Sequence, residues 1–225
     1  MLSIIIPTLN AEQELAQTLA VLQSYRDDLG FEIIVTDGGS TDNTALVAEQ
    51  ACVIFLQGQR GRGTQMAEAT EDASGDWFLF LHADTCPQPG WVEAVRAFMD
   101  DPLNIRNVGY FRFALDDESP AAKRLERVVH WRCRVLRLPY GDQGLLISRT
   151  YYEEIGGFKA IPLMEDVELI RHVPRSRRKM LPATAVTSAA KYRRDGFLAR
   201  PLRNMLCLGL FAVGLPPRYI ISLYR

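Results

Sequence analysis

Residues 31–44 read FEIIVTDGGSTDNT, and this stretch decides the fold class because it joins an apolar strand to a helix through a glycine turn. The run at 31–36 is typical of a strand buried on both faces of a parallel sheet. Polar residues at 40–43 supply N-cap chemistry for a helix over 42–51. The same alternation continues on both sides of this stretch. It predicts further strands at 3–7, 52–56 and 77–81, and further helices at 11–25 and 64–73.

This alternation of strands and helices predicts an α/β fold with a mainly parallel sheet, helices on both faces and ligands at the carboxyl ends of the strands. After residue 90 the alternation is less regular. The later predicted elements are helices at 90–99, 120–138, 165–172, 198–215 and 217–224, and strands at 108–113 and 145–148. No internal repeat or low-complexity linker marks a domain boundary.

The composition is that of a globular protein, with 225 residues, 48% hydrophobic and 24% charged. This balance excludes a disordered chain and fits one domain with at most a modest appendage. The four cysteines are widely spaced and lack a C-x-x-C pair, so they form neither a disulfide framework nor a zinc site. No basic region precedes the short apolar run at the N-terminus, so we expect no signal peptide and a cytoplasmic location.

Charge is unevenly distributed along the chain. Residues 171–225 hold 12 Lys/Arg and one acidic residue, a net charge of +11, whereas residues 1–170 hold 14 Lys/Arg and 26 Asp/Glu, a net charge of −12. The basic tail indicates an anionic partner, a membrane surface or pairing with the acidic body of the chain. The uncharged run at 205–215 is shorter than the roughly 20 residues that a spanning helix needs. The stretch at 198–215 therefore fits a helix lying in a membrane interface on the cytoplasmic face, or one packed on the body or on a second subunit.

Carboxylates lie in four turns near the predicted site edge of the sheet. In the first turn, glycines let the backbone approach a ligand, and Asp37 can accept hydrogen bonds from a base or ribose, although a structural turn with an N-cap has the same sequence. In the second turn, Asp84 follows a strand and is a hard-oxygen ligand suited to Mg²⁺ or Mn²⁺. His82 either ligates the same metal or bonds a backbone carbonyl.

The other two turns come later in the chain. Glycines flank Asp142 and Gln143, an arrangement that presents both side chains to a cleft. Adjacent carboxylates, Glu165 and Asp166, then open a helix after a glycine turn. Glu165 fits a carboxylate that interacts with the helix dipole or a cleft residue, and Asp166 fits a general base facing a nucleophilic hydroxyl.

Together these segments resemble family 2 glycosyltransferases of the GT-A fold. The matching segments, in order, are SIIIPTLN at 3–10 with Leu15, EIIVTDGGSTDNT at 32–44, GDWFLFLHAD at 75–84, and GGF at 156–158 followed by Glu165-Asp166. Their combination spans residues 1–170 and is specific, whereas each motif alone is weak. HAD at 82–84, YGDQG at 140–144 and MED at 164–166 resemble, more narrowly, the bacterial radical-SAM/selenodomain-associated transferases.

The resemblance implies an inverting transferase domain at 1–190, with a Rossmann-like, mainly parallel mixed sheet, and a basic, apolar helical extension at 191–225. It implies a nucleotide-diphosphate-sugar donor, an acceptor hydroxyl of unknown identity, and Mg²⁺ or Mn²⁺. Asp166 would deprotonate the acceptor while a metal on Asp84, with His82 beside it, stabilises the leaving diphosphate. The donor would lie along Pro7, Thr8, Leu9, Asn10, Asp37, Arg60, Arg62 and Ala83.

The remaining predicted contacts lie on the acceptor side and around the diphosphate. Asp142, Gln143 and Glu165 would line the cleft on the acceptor side. Arg193 and Arg194, in the basic set that begins at Lys191, would close over the diphosphate because guanidinium groups suit phosphate geometry. A solvated loop or a membrane-facing patch is the alternative interpretation of that basic set.

Two positions depart from the family pattern. His82 stands at the first acidic position of the metal motif, and Gly38 replaces a carboxylate that reads the nucleobase. These departures suggest a second hypothesis, a degenerate domain that binds sugar nucleotides without turnover. A third hypothesis is a haloacid-dehalogenase-type phosphatase, in which an apolar strand also ends in Asp-x-Asp-x-Thr, although His82 occupies the place of its nucleophile. We expect no nucleic-acid partner.

Overall fold

The computed structural model describes residues 1–224, in which one mixed sheet has the strand order β3-β2-β1-β4-β7-β6-β8-β5. The strands are β1 (Leu2–Thr8), β2 (Phe31–Asp37), β3 (Ile54–Gln57), β4 (Trp77–Phe80), β5 (Thr85–Pro87), β6 (Val108–Leu115), β7 (Leu145–Ser148) and β8 (Arg178–Thr187). The helices are α1 (Glu12–Gln23), α2 (Arg26–Leu29), α3 (Thr44–Gln50), α4 (Arg62–Asp72), α5 (Trp91–Asp100), α6 (Pro120–Leu136), α7 (Arg149–Glu154), α8 (Glu165–Arg171), α9 (Ala190–Asp195), α10 (Ala199–Ala212) and α11 (Pro217–Tyr224). Residue 225 of the predicted extension lies outside the described residues.

The first four strands form the parallel half of the sheet. All seven residues of β1 are buried, and β1 pairs in parallel with β2 on one side and β4 on the other. β3 extends the sheet beyond β2. The strands and helices predicted before residue 90 are confirmed, with ends within two residues of the predicted bounds. Because parallel strands end at the same edge, the turns that follow β1, β2 and β4 converge there.

The second half of the sheet is mixed. β7 pairs antiparallel with β4 and β6, β8 runs parallel to β6, and β5 pairs antiparallel with β8. The sequence pattern does not predict β5, which has three residues, or β8, whose apolar run is interrupted by polar and small residues and by Pro182. The end of β8 brings the next segment to the turn after β4, where the Ser188 N–H donates to the Asp84 carbonyl oxygen at 3.0 Å.

Helices cover both faces of the sheet, and each face has its own apolar core. On one face, Leu15 of α1 and Trp91 of α5 pack with Ile4. On the other face, Tyr152 of α7 belongs to the core that contains Ile5. Burying each large apolar side chain contributes about 1.5–3 kcal/mol, so the consecutive isoleucines of β1 stabilise the two layers at once.

The turn at residues 141–143 is attached to the interior by Gln143, which is fully buried. The Gln143 amide donates to the Phe111 carbonyl oxygen at 3.1 Å, and its Oε1 accepts from Arg132 Nη2 and Cys133 Sγ, each at 3.1 Å. These bonds join the turn to β6 and α6. The prediction that Gln143 faces a cleft is therefore wrong, because its polar atoms are used to hold the turn in place.

The C-terminal segment packs on the body through one side of α10. Cys207 is fully buried in a cluster with Met164 and Val167 near the start of α8. The opposite side of α10 is exposed. Among residues 1–224, no helix has both the length and the apolar character needed to cross a bilayer.

The attachment of the 141–143 turn gives a test of stability. Gln143→Leu leaves the Phe111 carbonyl and three donors, on Arg132, Cys133 and Tyr140, without their partner, so we expect a loss of about 2–4 kcal/mol in the free energy of unfolding. Urea denaturation measures this loss. Gln17→Leu makes the same change at an exposed position of α1 and should cost much less. Equal small losses in both variants would show that Gln143 does not hold the turn.

Candidate active site

Two adjoining pockets lie at the edge where β1, β2 and β4 end. The larger pocket has a volume of about 530 Å³ and the smaller about 110 Å³. Both are lined by Arg62, His82, Asp84 and Lys191. The larger pocket is lined by seven of the residues predicted to bind the donor: Pro7, Thr8, Leu9, Asn10, Arg60, Arg62 and Ala83. From the other predicted residues, the smaller pocket collects Asp142 and Asp166.

Asp37 organises the turn after β2 and does not face the larger pocket with a free oxygen. One carboxylate oxygen accepts from the hydroxyl groups of Thr8, at 3.0 Å, and Ser40. The other accepts from the backbone N–H groups of Gly39 and Ser40, at 2.9 and 2.7 Å. A carboxylate offers about four lone-pair sites, so these bonds leave none for a base or ribose. The structure does not meet the expectation for this side chain.

Gln65 of α4 is a pocket residue that the motifs do not reveal. Its side chain is buried, and Nε2 donates to the carbonyl oxygens of Thr8 and Thr36, at 2.9 and 2.6 Å. A Cβ placed on Gly38 would lie 3.1 Å from Gln65 Oε1 and 3.4 Å from the Arg60 Cα. Gln65 thus occupies the space beside Gly38, where the family pattern has a carboxylate. A single glutamine on a helix gives no sequence signal for this role.

The turn after β4 places His82 and Asp84 at the junction of the two pockets. Lys191 Nζ lies 2.8 Å from Asp84 Oδ2. Burial opposes ionisation of Asp84, but the positive charges of Lys191 and the neighbouring groups hold its pKa below the ordinary value. Burial and the charge of Arg62 lower the pKa of His82 to about 4, so its ring is neutral at pH 7. The junction therefore holds a carboxylate paired with an ammonium group beside a neutral imidazole.

Asp166 and Asp142 lie on the wall of the smaller pocket. Asp166 Oδ2 accepts from the Gly141 N–H and Oδ1 from the Val167 N–H, each at 2.7 Å. Asp142 Oδ1 is buried and has no hydrogen-bond partner among the described residues. Burial, reinforced by the nearby charges of Asp166 and Asp84, raises the pKa of Asp142 to about 6 despite the opposing charge of Arg132. The wall thus presents two carboxyl groups in different environments.

Glu165 lies beneath Arg62. It is almost completely buried, and its Oε1 is 2.7 Å from Arg62 Nε. A Cβ on Gly63 would lie 2.3 Å from the Lys159 carbonyl oxygen, so the start of α4 packs closely against the segment that leads to Glu165. Burial raises the pKa of Glu165, and the charge of Arg62 opposes that rise. The contact places the Arg62 guanidinium at the pocket, so Glu165 is a positioning residue for that arginine.

The structure brings Lys191 to the pockets instead of Arg193 and Arg194. Arg193 Nη1 lies 3.1 Å from Asp117 Oδ2, and Arg194 Nε lies 2.7 Å from Asp195 Oδ1. Successive residues of the short helix α9 point in different directions, so the basic set divides between the pocket and the surface. Neither Arg193 nor Arg194 lines either pocket, whereas Lys191 lines both, so the predicted diphosphate contact of the two arginines stays a prediction.

The metal-ligating atoms of Asp84 and His82 fit a divalent cation that further ligands, such as a diphosphate, also coordinate. Asp84 offers a hard carboxylate oxygen and His82 a neutral nitrogen, the forms in which these groups bind metals. Within residues 1–224, no cluster of three or more His, Cys, Asp or Glu is arranged to hold a metal ion. Mg²⁺ is commonly bound by one or two carboxylates together with substrate phosphates and water. Asp84 and His82 therefore fit an ion whose coordination is completed by other ligands.

Solved structures with the same architecture define the fold. The mannosyltransferase PcManGT from Pyrobaculum calidifontis, in complex with GDP-Man and Mn²⁺, is 18% identical with a TM-score of 0.63, covering 92% of this chain and 60% of PcManGT. S. aureus TarS 1–349, in complex with UDP-GlcNAc, is 15% identical with a TM-score of 0.64, covering 99% of this chain and 70% of TarS 1–349. At these identities the likeness shows the fold alone, and it confirms the predicted GT-A class.

The sequence comparison identifies the family. Glycosyltransferase AglJ from Haloferax volcanii is 37% identical over 130 residues, which are 56% of this chain and 40% of AglJ. The chain thus spans about two fifths of that relative. The pattern of the family described as Glycosyl transferase family 2 matches residues 3–161, more than half of the chain. The chain belongs to glycosyltransferase family 2. The narrower subgroup resemblance stays a prediction.

The raised pKa of Asp142 gives a pH-dependent test. Between about pH 4 and 6, the Asp142 carboxyl keeps its proton in the folded state. In the unfolded chain the same carboxyl has an ordinary pKa of about 3.9 and has released its proton. The parent therefore loses stability as the pH rises from about 4 to 6, by up to about 3 kcal/mol, and the loss is complete above that range. Asp142→Asn removes the group, so the stability of this variant relative to the parent should rise across the same interval.

Urea denaturation in EDTA between pH 4 and 7 measures this difference. Asp72→Asn removes one exposed carboxylate from α4 and serves as the matched control. A difference between Asp142→Asn and the parent that is independent of pH would show that Asp142 is not held in its neutral form by burial.

Proposed function

We propose that this chain transfers a sugar from a nucleotide-diphosphate-sugar donor to an acceptor hydroxyl, with inversion at the anomeric carbon. The observation that carries the proposal is the junction of two pockets in a family 2 chain: Asp84 and Lys191 line both pockets, and Asp166 lies on the wall of the smaller one. The complexes of PcManGT with GDP-Man and of TarS with UDP-GlcNAc support a sugar-nucleotide donor. The boundary between a transferase domain at 1–190 and a helical extension at 191–225 also stays a proposal.

The donor occupies the larger pocket in this proposal. Pro7–Asn10 and Ala83 form apolar and backbone walls, and Arg60 and Arg62 supply guanidinium groups for phosphate oxygens. Glu165 holds Arg62 in position from below. The diphosphate then lies at the junction, beside Lys191. The sugar points from the junction into the smaller pocket, where the carboxyl groups are.

The transfer is a single displacement. The acceptor oxygen forms a bond to the anomeric carbon as the bond from that carbon to the diphosphate oxygen breaks, and the acceptor proton moves to the Asp166 carboxylate. Backbone N–H groups of Gly141 and Val167 fix the orientation of this carboxylate, which reduces the cost of aligning a base with the acceptor. Asp142 supplies a second carboxyl group at the same wall.

Asp84, with His82 beside it, would hold Mg²⁺ or Mn²⁺ together with the diphosphate. A bound divalent cation supplies positive charge that stabilises the departing diphosphate. The Mn²⁺ in the PcManGT complex supports this assignment. Lys191 is paired with the same carboxylate, so its ammonium group must share Asp84 or move onto the phosphates when the donor binds.

A sugar-nucleotide-binding protein without turnover is the second candidate. The Lys191–Asp84 ion pair favours it, because this ammonium already satisfies the carboxylate on which the metal depends. The two candidates share the larger pocket, and turnover of a sugar nucleotide by the parent chain separates them.

Asp166→Asn keeps the side-chain shape and removes the base. Because a general base contributes about 10²–10⁴-fold, sugar transfer should fall by that factor while donor affinity, measured by calorimetry, changes little. Asp72→Asn is the matched control and should retain the parent rate. Near-full transfer by Asp166→Asn would show that Asp166 is not the general base. Absence of turnover by the parent with any donor would favour the binding protein.

Asp84→Asn tests the metal site. We expect it to abolish the part of nucleoside-diphosphate affinity that depends on Mn²⁺, because the amide lacks the charge that holds the cation. Lys191→Met should keep that dependence, since it removes the competing ammonium group and leaves the carboxylate. Calorimetric titration of the nucleoside diphosphate, with and without Mn²⁺, gives both values. An equal dependence on Mn²⁺ in Asp84→Asn and the parent would contradict the assignment.

A further inference from the structure

The outer side of α10 has no charged residue. The exposed residues between positions 198 and 213 are Leu198, Ala199, Leu202, Met205, Leu206, Gly209, Ala212 and Val213. These residues, called the outer face below, follow the spacing of one side of a helix over about four turns. Leu198 is 79% exposed, Leu202 63% and Val213 83%. A helix that faces water on this side would normally place its charges here.

The charges of α10 instead point toward the protein. Arg200 Nη1 and Arg203 Nη2 lie 2.5 and 3.0 Å from Asp195 Oδ2. Arg200 also lines the smaller pocket, together with Asn204 and Leu208. The inward side of α10 is therefore its polar side near the pocket, and this arrangement leaves the apolar outer face exposed.

The orientation of α10 is fixed by packing. Cys207 is buried in a cluster with Met164 and Val167, and the Arg171 guanidinium lies 5.4 Å from the ring centroid of Phe211. A rotation that hid the outer face against the body would break these contacts and expose the paired arginines. The outer face is thus available to a partner without rearrangement.

On α11, Tyr219 and Leu223 are exposed, and the Arg218 guanidinium lies 4.9 Å from the centroid of the Tyr219 ring. Aromatic and basic side chains at the edge of an apolar face are typical of helices that lie in a membrane interface, where the ring and the charge stay at the level of the headgroups. At 1.5 Å per residue, the 14 residues of α10 are about 21 Å long, which suits a helix lying along the interface.

The charge distribution selects the partner. Residues 171–225 carry a net charge of +11 and residues 1–170 a net charge of −12. Five of the basic residues in 171–225 precede α9, and the helical segment at 190–224 holds six Lys/Arg and one acidic residue, a net charge of +5. An anionic surface attracts this helical segment and repels residues 1–170, which favours an orientation with α9–α11 toward the surface. A second copy bound through the same face would bring two helical segments of net charge +5 together, which opposes association.

We propose that α10 and α11 bind the surface of an anionic lipid bilayer, with the outer face of α10 inserted at the level of the headgroups. Because the opposite side of α10 lines the smaller pocket, this placement sets Asp84 and Asp166 about one helix diameter, roughly 10 Å, from the bilayer surface.

Flotation of the full-length chain with lipid vesicles tests this proposal. We expect binding to vesicles that contain phosphatidylglycerol, little binding to pure phosphatidylcholine vesicles, and weaker binding as NaCl is raised. The double variant Leu202→Gln/Leu206→Gln should bind the anionic vesicles at least about tenfold more weakly than the parent, because it removes two apolar side chains from the inserted face.

The matched control is Leu46→Gln/Leu103→Gln, which makes the same change at two exposed leucines elsewhere, and it should bind like the parent. Circular dichroism of both double variants confirms that they fold. Equal weakening in the two variants, or equal binding to the two lipid compositions, would overturn the proposal. Absence of vesicle binding at low salt would also overturn it, and a dimer seen by light scattering in that case would assign the outer face to a second copy.

Discussion

The parallel pairing of β1 with β2 and β4 is the constraint on which the site depends. It brings three strands to an end at one edge of the sheet, so turns far apart in sequence share one cleft. β8 reaches the same edge through β6 and returns the chain to the turn after β4. The placement of Lys191 beside Asp84 follows from that return, and it joins the C-terminal segment to the parallel half of the sheet.

Electrostatics explains how several carboxyl groups are tolerated in this cleft. Each of three sites pairs a carboxylate with a donor or cation: Glu165 with Arg62, Asp84 with Lys191, and Asp166 with backbone N–H groups. Asp142 lacks such a partner for one oxygen, and burial raises its pKa to about 6. The cations that balance these carboxylates are also the groups suited to a bound diphosphate, so the arrangement serves both stability and the proposed donor site.

The sequence predicts the parallel half of the sheet, because apolar periodicity and glycine turns are local signals. The family resemblance supplies most of the predicted residues that line the larger pocket, but it does not reveal Gln65. It does not predict β8, whose mixed residues and Pro182 hide the strand. Motif position also fails to show whether a polar side chain is already satisfied, as with Asp37 and Gln143, whose hydrogen bonds hold their own turns. Such outcomes depend on contacts between distant segments, which no local pattern contains.

The proposed function requires that this chain break the bond between the sugar and the diphosphate with inversion. NMR of a panel of sugar nucleotides, incubated with the protein and Mn²⁺ in water, tests it most directly, because water can replace the acceptor. We expect that one donor is consumed, that its nucleoside diphosphate is released, and that the free sugar first appears as the anomer opposite to that of the donor. Release of the sugar with the anomeric configuration of the donor, or no consumption of any donor, would contradict it.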